Sequence, residues 1–165
     1  MIDTKLKELE NAFHTADKTL TDRSARAAEW ERINTLCFTE VETLANHFRK
    51  LLLLIPSTPN RRNELANTSF QRLIDASQKL LDWFGIDVFK GITVDEQAFL
   101  TLTLQRRHIT VHNGGVVDED YLRKSGDTSA RLHQKIQIRS REIRRLIPIV
   151  RTACTNFLSD FASLS

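Results

Sequence analysis

Trp30-Glu31-Arg32-Ile33-Asn34-Thr35-Leu36-Cys37-Phe38-Thr39-Glu40-Val41, continued through Leu44, Phe48 and Leu51 to Ile55, decides the fold class. Its apolar members Trp30, Ile33, Cys37, Val41, Leu44, Phe48, Leu51 and Ile55 are separated by 3, 4, 4, 3, 4, 3 and 4 residues. That rhythm stays on one side of a 3.6-residue helix, whereas a strand would scatter it over both faces. The spacing predicts one long helix. Thr21-Asp22-Arg23-Ser24 supplies capping side chains at its start, and Pro56-Ser57-Thr58-Pro59-Asn60 ends it, because proline cannot continue the hydrogen-bond ladder.

The same periodicity extends both ways. Upstream, Leu6, Leu9, Phe13 and Leu20 mark a helix over about residues 3–20. Downstream, Phe70, Leu73, Ser77, Leu80, Leu81 and Phe84 predict a third helix from about Asn63 to Phe84. The segment Gly85–Gly91 reads as a packed connector. Thr93 or Asp95 then caps a fourth helix running from about Val94 to Asn113, which Gly114 and Gly115 close. Asp118–Lys124 carries acids at its start and cations at its end, as one helical turn prefers. Ser140 opens a last helix to about Ala162, with Ile143, Leu146, Ile147, Val150, Cys154, Phe157, Leu158 and Phe161 inward. Pro148 lies inside that pattern and predicts a kink or a later start. The expected fold is all-α, an antiparallel bundle of about five helices in a single domain over 1–165, with 1–24 open to being an N-terminal helical extension.

Composition agrees. The 165 residues are 41% apolar and 27% charged, enough for one buried core, and five glycines with three prolines leave few turns for an all-β chain. The longest apolar run, Leu51–Ile55, is too short to span a bilayer, so no membrane partner is expected. Cys37 and Cys154 fall in helical apolar stripes and have no metal-ligand spacing, which suits buried free thiols in a cytoplasmic protein. The net charge of +3 is unevenly spread: from Arg131 onward, seven cations face two acids. A basic C-terminal third points to a polyanionic partner.

One stretch interrupts the apolar patterning: Gln105-Arg106-Arg107-His108-Ile109-Thr110-Val111-His112-Asn113-Gly114-Gly115. At 100° per residue, Phe99, Leu102, Arg106 and Ile109 share one side of the helix, and Leu100, Leu104, Arg107 and Val111 the other. Such a helix is either central to a bundle or covered by a partner on its second face. A guanidinium in a half-buried stripe must be paired or must bind an anion. Arg107 therefore either bridges to Glu40, Glu42 or another acid, or joins His108 and His112 in handling phosphate. The histidine pair also has the i, i+4 spacing of a zinc site, but neither a His-Glu-x-x-His pattern nor a third ligand accompanies it, so no metal and no cofactor is expected.

Arg107-His108-Ile109-Thr110-Val111-His112, at the end of a helix in an all-helical chain, resembles the Arg-x4–6-His motif of HEPN domains. The continuation Asn113-Gly114-Gly115-Val116-Val117-Asp118-Glu119-Asp120-Tyr121-Leu122 is similar to the segment after the motif in a prokaryotic, defence-linked branch of that family. His108 stands where the family often has asparagine. The resemblance covers about residues 25–160. It implies a metal-independent endoribonuclease of a toxin–antitoxin or antiviral defence system, working as a homodimer with two motifs facing one cleft. His112 would then act as general acid or base, Arg107 would stabilise charge on the phosphoryl oxygens, and His108 would orient or assist. RNA would be cut by its own 2′-hydroxyl to a 2′,3′-cyclic phosphate, and an antitoxin or other neutralising protein is an implied partner. Arg106 is the alternative arginine, at the longer spacing the motif allows.

Arg106, Asn113, Arg141, Arg144 and Arg145 are the expected RNA contacts. Arg141, Arg144, Arg145 and Arg151 lie close to one side of the last helix, as either a solvated face or a phosphate track. The alternative function is a non-catalytic HEPN-like module that binds nucleotide, nucleic acid or a partner protein through the same cleft.

Overall fold

In the computed structural model, residues 2–54, 61–68 and 72–164 are described. They form α1 (Ile2–Thr19), α2 (Arg23–Leu52), α3 (Arg62–Ala66), α4 (Leu73–Phe84), α5 (Val94–Asn113), α6 (Glu119–Ser125) and α7 (Ser140–Ala162). The all-α architecture is as expected, and no strand occurs among the described residues; an isolated antiparallel bridge joins Val116 and Lys135.

The described part of the α2 stripe does what its spacing predicts. Ile33 and Cys37 are fully buried, and Trp30 and Val41 pack against the same core. Asp22 caps the helix by accepting from the Ala25 amide at 2.7 Å. Ile55 and Pro56–Asn60, predicted to end it, lie outside the described residues, as do Phe70 and the side chains of Leu44, Phe48 and Leu51.

Residues 1–24, read from sequence as a candidate extension, put Leu6, Leu9, Phe13 and Ala16 into the shared interior. α1 lies against α2 and α7. Its acids Asp3, Glu10 and Asp17 recur every seven residues, and α7 answers with Arg144 and Arg151 at the same interval. Arg144 meets Asp17 at 2.7 Å, while Arg151 meets Glu10 at 2.9 Å and Asp3 at 3.3 Å. Apolar burial supplies most of the stabilisation here and the charges fix the register, since half-exposed ion pairs contribute at most about 1 kcal/mol each.

The third predicted helix is two helices. Local side chains end the first one: Thr68 Oγ1 donates to the Glu64 carbonyl at 2.8 Å and Asn67 Nδ2 to the Asn63 carbonyl at 2.9 Å. Arg49 reaches over from α2 to donate to the Ala66 and Thr68 carbonyls. Asn and Thr compete in this way with the helical ladder, which apolar spacing alone does not register. In α4, Ser77 and Leu80 face inward, but Leu81 is exposed.

The connector after Gly85 packs as expected. Ile86 and Val88 are buried, the Asp87 amide donates to Asp160, and Asn156 donates to the Val88 and Lys90 carbonyls. α7 starts at Ser140 and runs through Pro148, so the later start is not found. Pro148 sits on the exposed side, and Leu158, expected inward, is exposed.

α5 packs against α2, α4, α6 and α7. Thr93 and Glu96 form a capping box at its start, with the Glu96 amide donating to Thr93 Oγ1 and the Thr93 amide to Glu96 Oε2. At its end Gly114 adopts a left-handed conformation (φ 58°), and the Gly115 amide donates to the Ile109 carbonyl at 2.9 Å. Leu100 and Leu104, on the face expected to be covered by either the bundle or a partner, are 2% and 9% exposed within this one chain. Of that stripe, only Val111 remains open, at 51%. α5 is apolar on two faces because α2, α4 and α7 of the same chain pack against it.

Candidate functional site

The last two turns of α5 send Arg106 and Arg107 to opposite duties. Arg106 is enclosed by carboxylates. Its Nε and Nη2 donate to Asp127 Oδ2 at 2.9 and 2.7 Å, Nη2 also donates to Ser129 Oγ, and Nη1 pairs with Glu142. The Tyr121 hydroxyl adds a 2.7 Å bond to the same Asp127 oxygen. Burial by itself would raise the Asp127 pKa, but hydrogen bonds from Ser129, Tyr121 and Arg106 outweigh it and hold the carboxyl down at about 2. Burial, and then the bond to Asp127, pushes the Tyr121 phenol up to about 12. Arg106 is thus held inside a satisfied network that ties α5 to the 127–129 turn and to the start of α7. A phosphate contact by its guanidinium would have to displace these carboxylates.

Arg107 points the other way and pairs with Glu42 of α2, Nη1 to Oε1 at 2.8 Å and Nη2 to Oε2 at 3.3 Å. Glu40, the other acid that the sequence offers, pairs with Lys5 instead. The Arg107 side chain is 16% exposed, and its Nε is buried with no hydrogen-bond partner among the described residues. A guanidinium held bidentately is oriented, and the Nη hydrogens not given to Glu42 keep hydrogen-bonding capacity, whereas the buried Nε is an unsatisfied donor and not an open one.

His108 and His112 sit one turn apart on the same helix, both exposed, with ring centroids 4.5 Å apart and planes inclined at 49°. Together with Arg107 and Asn113 they line a polar cleft of about 310 Å³. Glu42 closes one side, and Asp118, Asp120, Tyr121 and Lys124 the other. Asn113 is committed to the turn, donating from Nδ2 to the Val116 carbonyl at 2.8 Å and to Asp118 at 3.3 Å. Asp118 in turn caps α6 through the Tyr121 amide. The acids of the cleft are therefore engaged, Asp120 with Arg123 and Lys124 among them. Among the described residues, no three His, Cys, Asp or Glu side chains come together in a way that would hold a metal ion.

Arg141, Arg144 and Arg145 do not line this cleft. Arg144 is engaged by Asp17 and lies over the Phe13 ring. Arg145 pairs with Asp95 and lies over the Phe99 ring at 4.4 Å. Their exposed ends make surface ion pairs, so the α7 cations do not form one open track. Arg141 faces a different groove.

Sequence reasoning missed the Tyr121–Asp127–Ser129 network. Its signal was weak: an aspartate just after a helix-ending glycine. Lys124 and Arg72, which also line the cleft, carried no signal beyond their charge. Cys37 and Cys154 are buried free thiols, each pushed up to about 12 chiefly by burial, and take no part in the site. No helix among the described residues is long and apolar enough to cross a membrane. No family model, curated protein or solved structure matches this chain.

Proposed function

We propose that the α5 end is half of a metal-independent RNA-cleaving site, as its resemblance to HEPN ribonucleases implies. The observation that carries this reading is the exposed His108–His112 pair opening onto one cleft with the oriented Arg107 guanidinium. In the reaction, an imidazole takes the proton of a ribose 2′-hydroxyl, and that oxygen attacks the adjacent phosphorus. The P–O5′ bond breaks, and a second acid returns a proton to the leaving O5′. The products are a 2′,3′-cyclic phosphate and a 5′-hydroxyl. Arg107 stabilises the charge that builds on the non-bridging oxygens. His112 is the proton-transfer residue, and His108 orients it.

The histidine geometry also bears on assembly. In-line displacement puts the attacking and leaving oxygens on opposite sides of phosphorus. Both rings project from one helix face, 4.5 Å apart. We therefore assign the second proton-transfer step to another group, in the proposed homodimer the His112 of a second copy. Exposed Val111, one residue from His112, offers apolar surface for such a contact.

Mixing tests this. Adding a several-fold excess of His112→Ala chain to a fixed amount of wild type should lower RNA cleavage per wild-type chain several-fold. Light scattering should give twice the 19.0 kDa chain mass. Cleavage that ignores the added variant, from a protein of monomer mass, rules out the shared site. The Arg107–Glu42 pair favours one second reading, a binding module, because two of the guanidinium's five N–H donors are already taken. On that reading the wild type binds RNA or nucleotide and cuts nothing.

A further inference from the structure

Seven cations lie between Arg131 and the C-terminus, and the structure sorts them into two groups. Arg144, Arg145 and Arg151 are engaged by acids of α1 and α5. Arg131, Lys135, Arg139 and Arg141 make no ion pair or side-chain hydrogen bond among the described residues, are all exposed, and line one groove of about 370 Å³. The loop between α6 and α7 forms this groove against the first turn of α7.

Two carboxylates also line it, Asp127 and Glu142, but both are turned onto Arg106. The second Glu142 oxygen accepts from the Arg139 amide at 2.7 Å. The local acids are thus occupied by an internal arginine and a helix start, and the four outer cations keep their charge. With Arg106 included, the lining carries a formal +3. The loop is also fixed: the Val117 amide donates to the Gln134 carbonyl, the His133 amide to the Val117 carbonyl, and the Ile136 amide to the Gly115 carbonyl, all at 2.8–2.9 Å. His133 holds a left-handed backbone (φ 64°) to make this turn, a conformation costly for a residue other than glycine. Clustered unpaired cations on a pinned backbone form a preorganised anion site.

We propose that this groove binds the phosphate backbone of single-stranded RNA, as a second contact beside the histidine cleft. The two share a wall: Tyr121 lines the cleft, and its hydroxyl donates to Asp127, which lines the groove. A strand crossing that wall would touch both. No aromatic residue lines the groove among the described residues, so base stacking is not part of this contact and backbone charge is its main attraction. The ligand class rests on the ribonuclease reading above, but the test below measures binding and not cleavage.

A fluorescent 2′-O-methyl RNA oligonucleotide, which 2′-hydroxyl chemistry cannot cut, is titrated with the full chain at several salt concentrations. The variant Lys135→Ala/Arg139→Ala/Arg141→Ala should weaken binding at least tenfold at low salt. It should also reduce the log–log salt slope by about 2, at about 0.7 for each phosphate no longer neutralised. Arg144→Ala/Arg145→Ala should change affinity less than threefold. Thermal melts of both variants establish that they fold. A triple variant with wild-type affinity and slope overturns the proposal, as does a larger loss in the Arg144/Arg145 variant. A wild type that binds anionic vesicles and not the oligonucleotide overturns it too. If binding falls as expected while cleavable RNA stays intact, the groove stands and the ribonuclease reading fails; cleavage with no change of slope gives the reverse.

Discussion

His112→Ala is expected to lower RNA cleavage by about 10²–10⁴-fold, the usual range for removing a positioned general acid or base. Arg107→Ala should cost about 10²–10³-fold by removing a donor aimed at the phosphoryl oxygens. The two substitutions should differ in stability. His112 is exposed, so its loss should leave the melting temperature nearly unchanged. Arg107 is Glu42's bidentate partner, and its removal strands a carboxylate that is 25% exposed, so a measurable drop is expected. Single-turnover cleavage and thermal melts on the same preparations check both. His108→Ala should fall between wild type and His112→Ala, because its ring packs against His112 and sets that ring's orientation. If His108→Ala is the more damaging of the two, the roles are exchanged.

Asp127→Ala carries the largest expected effect on stability. The Asp127 side chain is 2% exposed and accepts from Arg106, Tyr121 and Ser129. Its removal leaves a buried guanidinium short of counter-charge and a buried hydroxyl without an acceptor, and about 3–5 kcal/mol should be lost. The network also predicts acid sensitivity. The folded carboxyl titrates near 2, below its ordinary value of 3.8. A depressed carboxylate pKa contributes stability that is fully present above the unfolded value and is lost as pH falls through the folded one. Asp127 should therefore contribute on the order of 2 kcal/mol at pH 7, declining between about pH 4 and pH 2. Urea unfolding of wild type and Asp127→Asn across that range measures it, and the wild type should show the steeper decline. Equal slopes would assign the acid response to other groups. Because Asp127 and Tyr121 form the wall between cleft and groove, the same substitution should disturb both sites.

Both ends of α5 could be read in the sequence, because each is set by local chemistry: a Thr-x-x-Glu capping box and a glycine pair. The α2 stripe was equally plain. What sequence did not decide was which of two physical alternatives each apolar or charged face takes. Leu100 and Leu104 fitted either a bundle interior or a surface awaiting a partner, and the chain's own helices bury them. The periodicity of Arg144, Arg145 and Arg151 suggested a phosphate track, but acids at positions 3, 10, 17 and 95 engage them. The seven-residue recurrence of acids on α1 was the available signal, visible only once α1 and α7 are set antiparallel. The break after α3 was missed because it comes from side-chain bonds of Asn67 and Thr68 to the backbone. For the site, the sequence singled out Arg107, His108 and His112, which do meet at one cleft. It could not see that Arg106, one residue away, is committed to Asp127 and Glu142. That difference follows from 100° of helical rotation and from two acids more than 20 residues downstream in sequence.

The central claim is that the α5 end cuts RNA through the substrate's own 2′-hydroxyl. The most direct test is to incubate purified protein with RNA in excess EDTA and determine the new termini by mass spectrometry. A 2′,3′-cyclic phosphate with a 5′-hydroxyl is predicted, together with full protection by a single 2′-deoxy substitution at the cut position. A 5′-phosphate with a 3′-hydroxyl, or cleavage that persists at the 2′-deoxy position, would contradict the account.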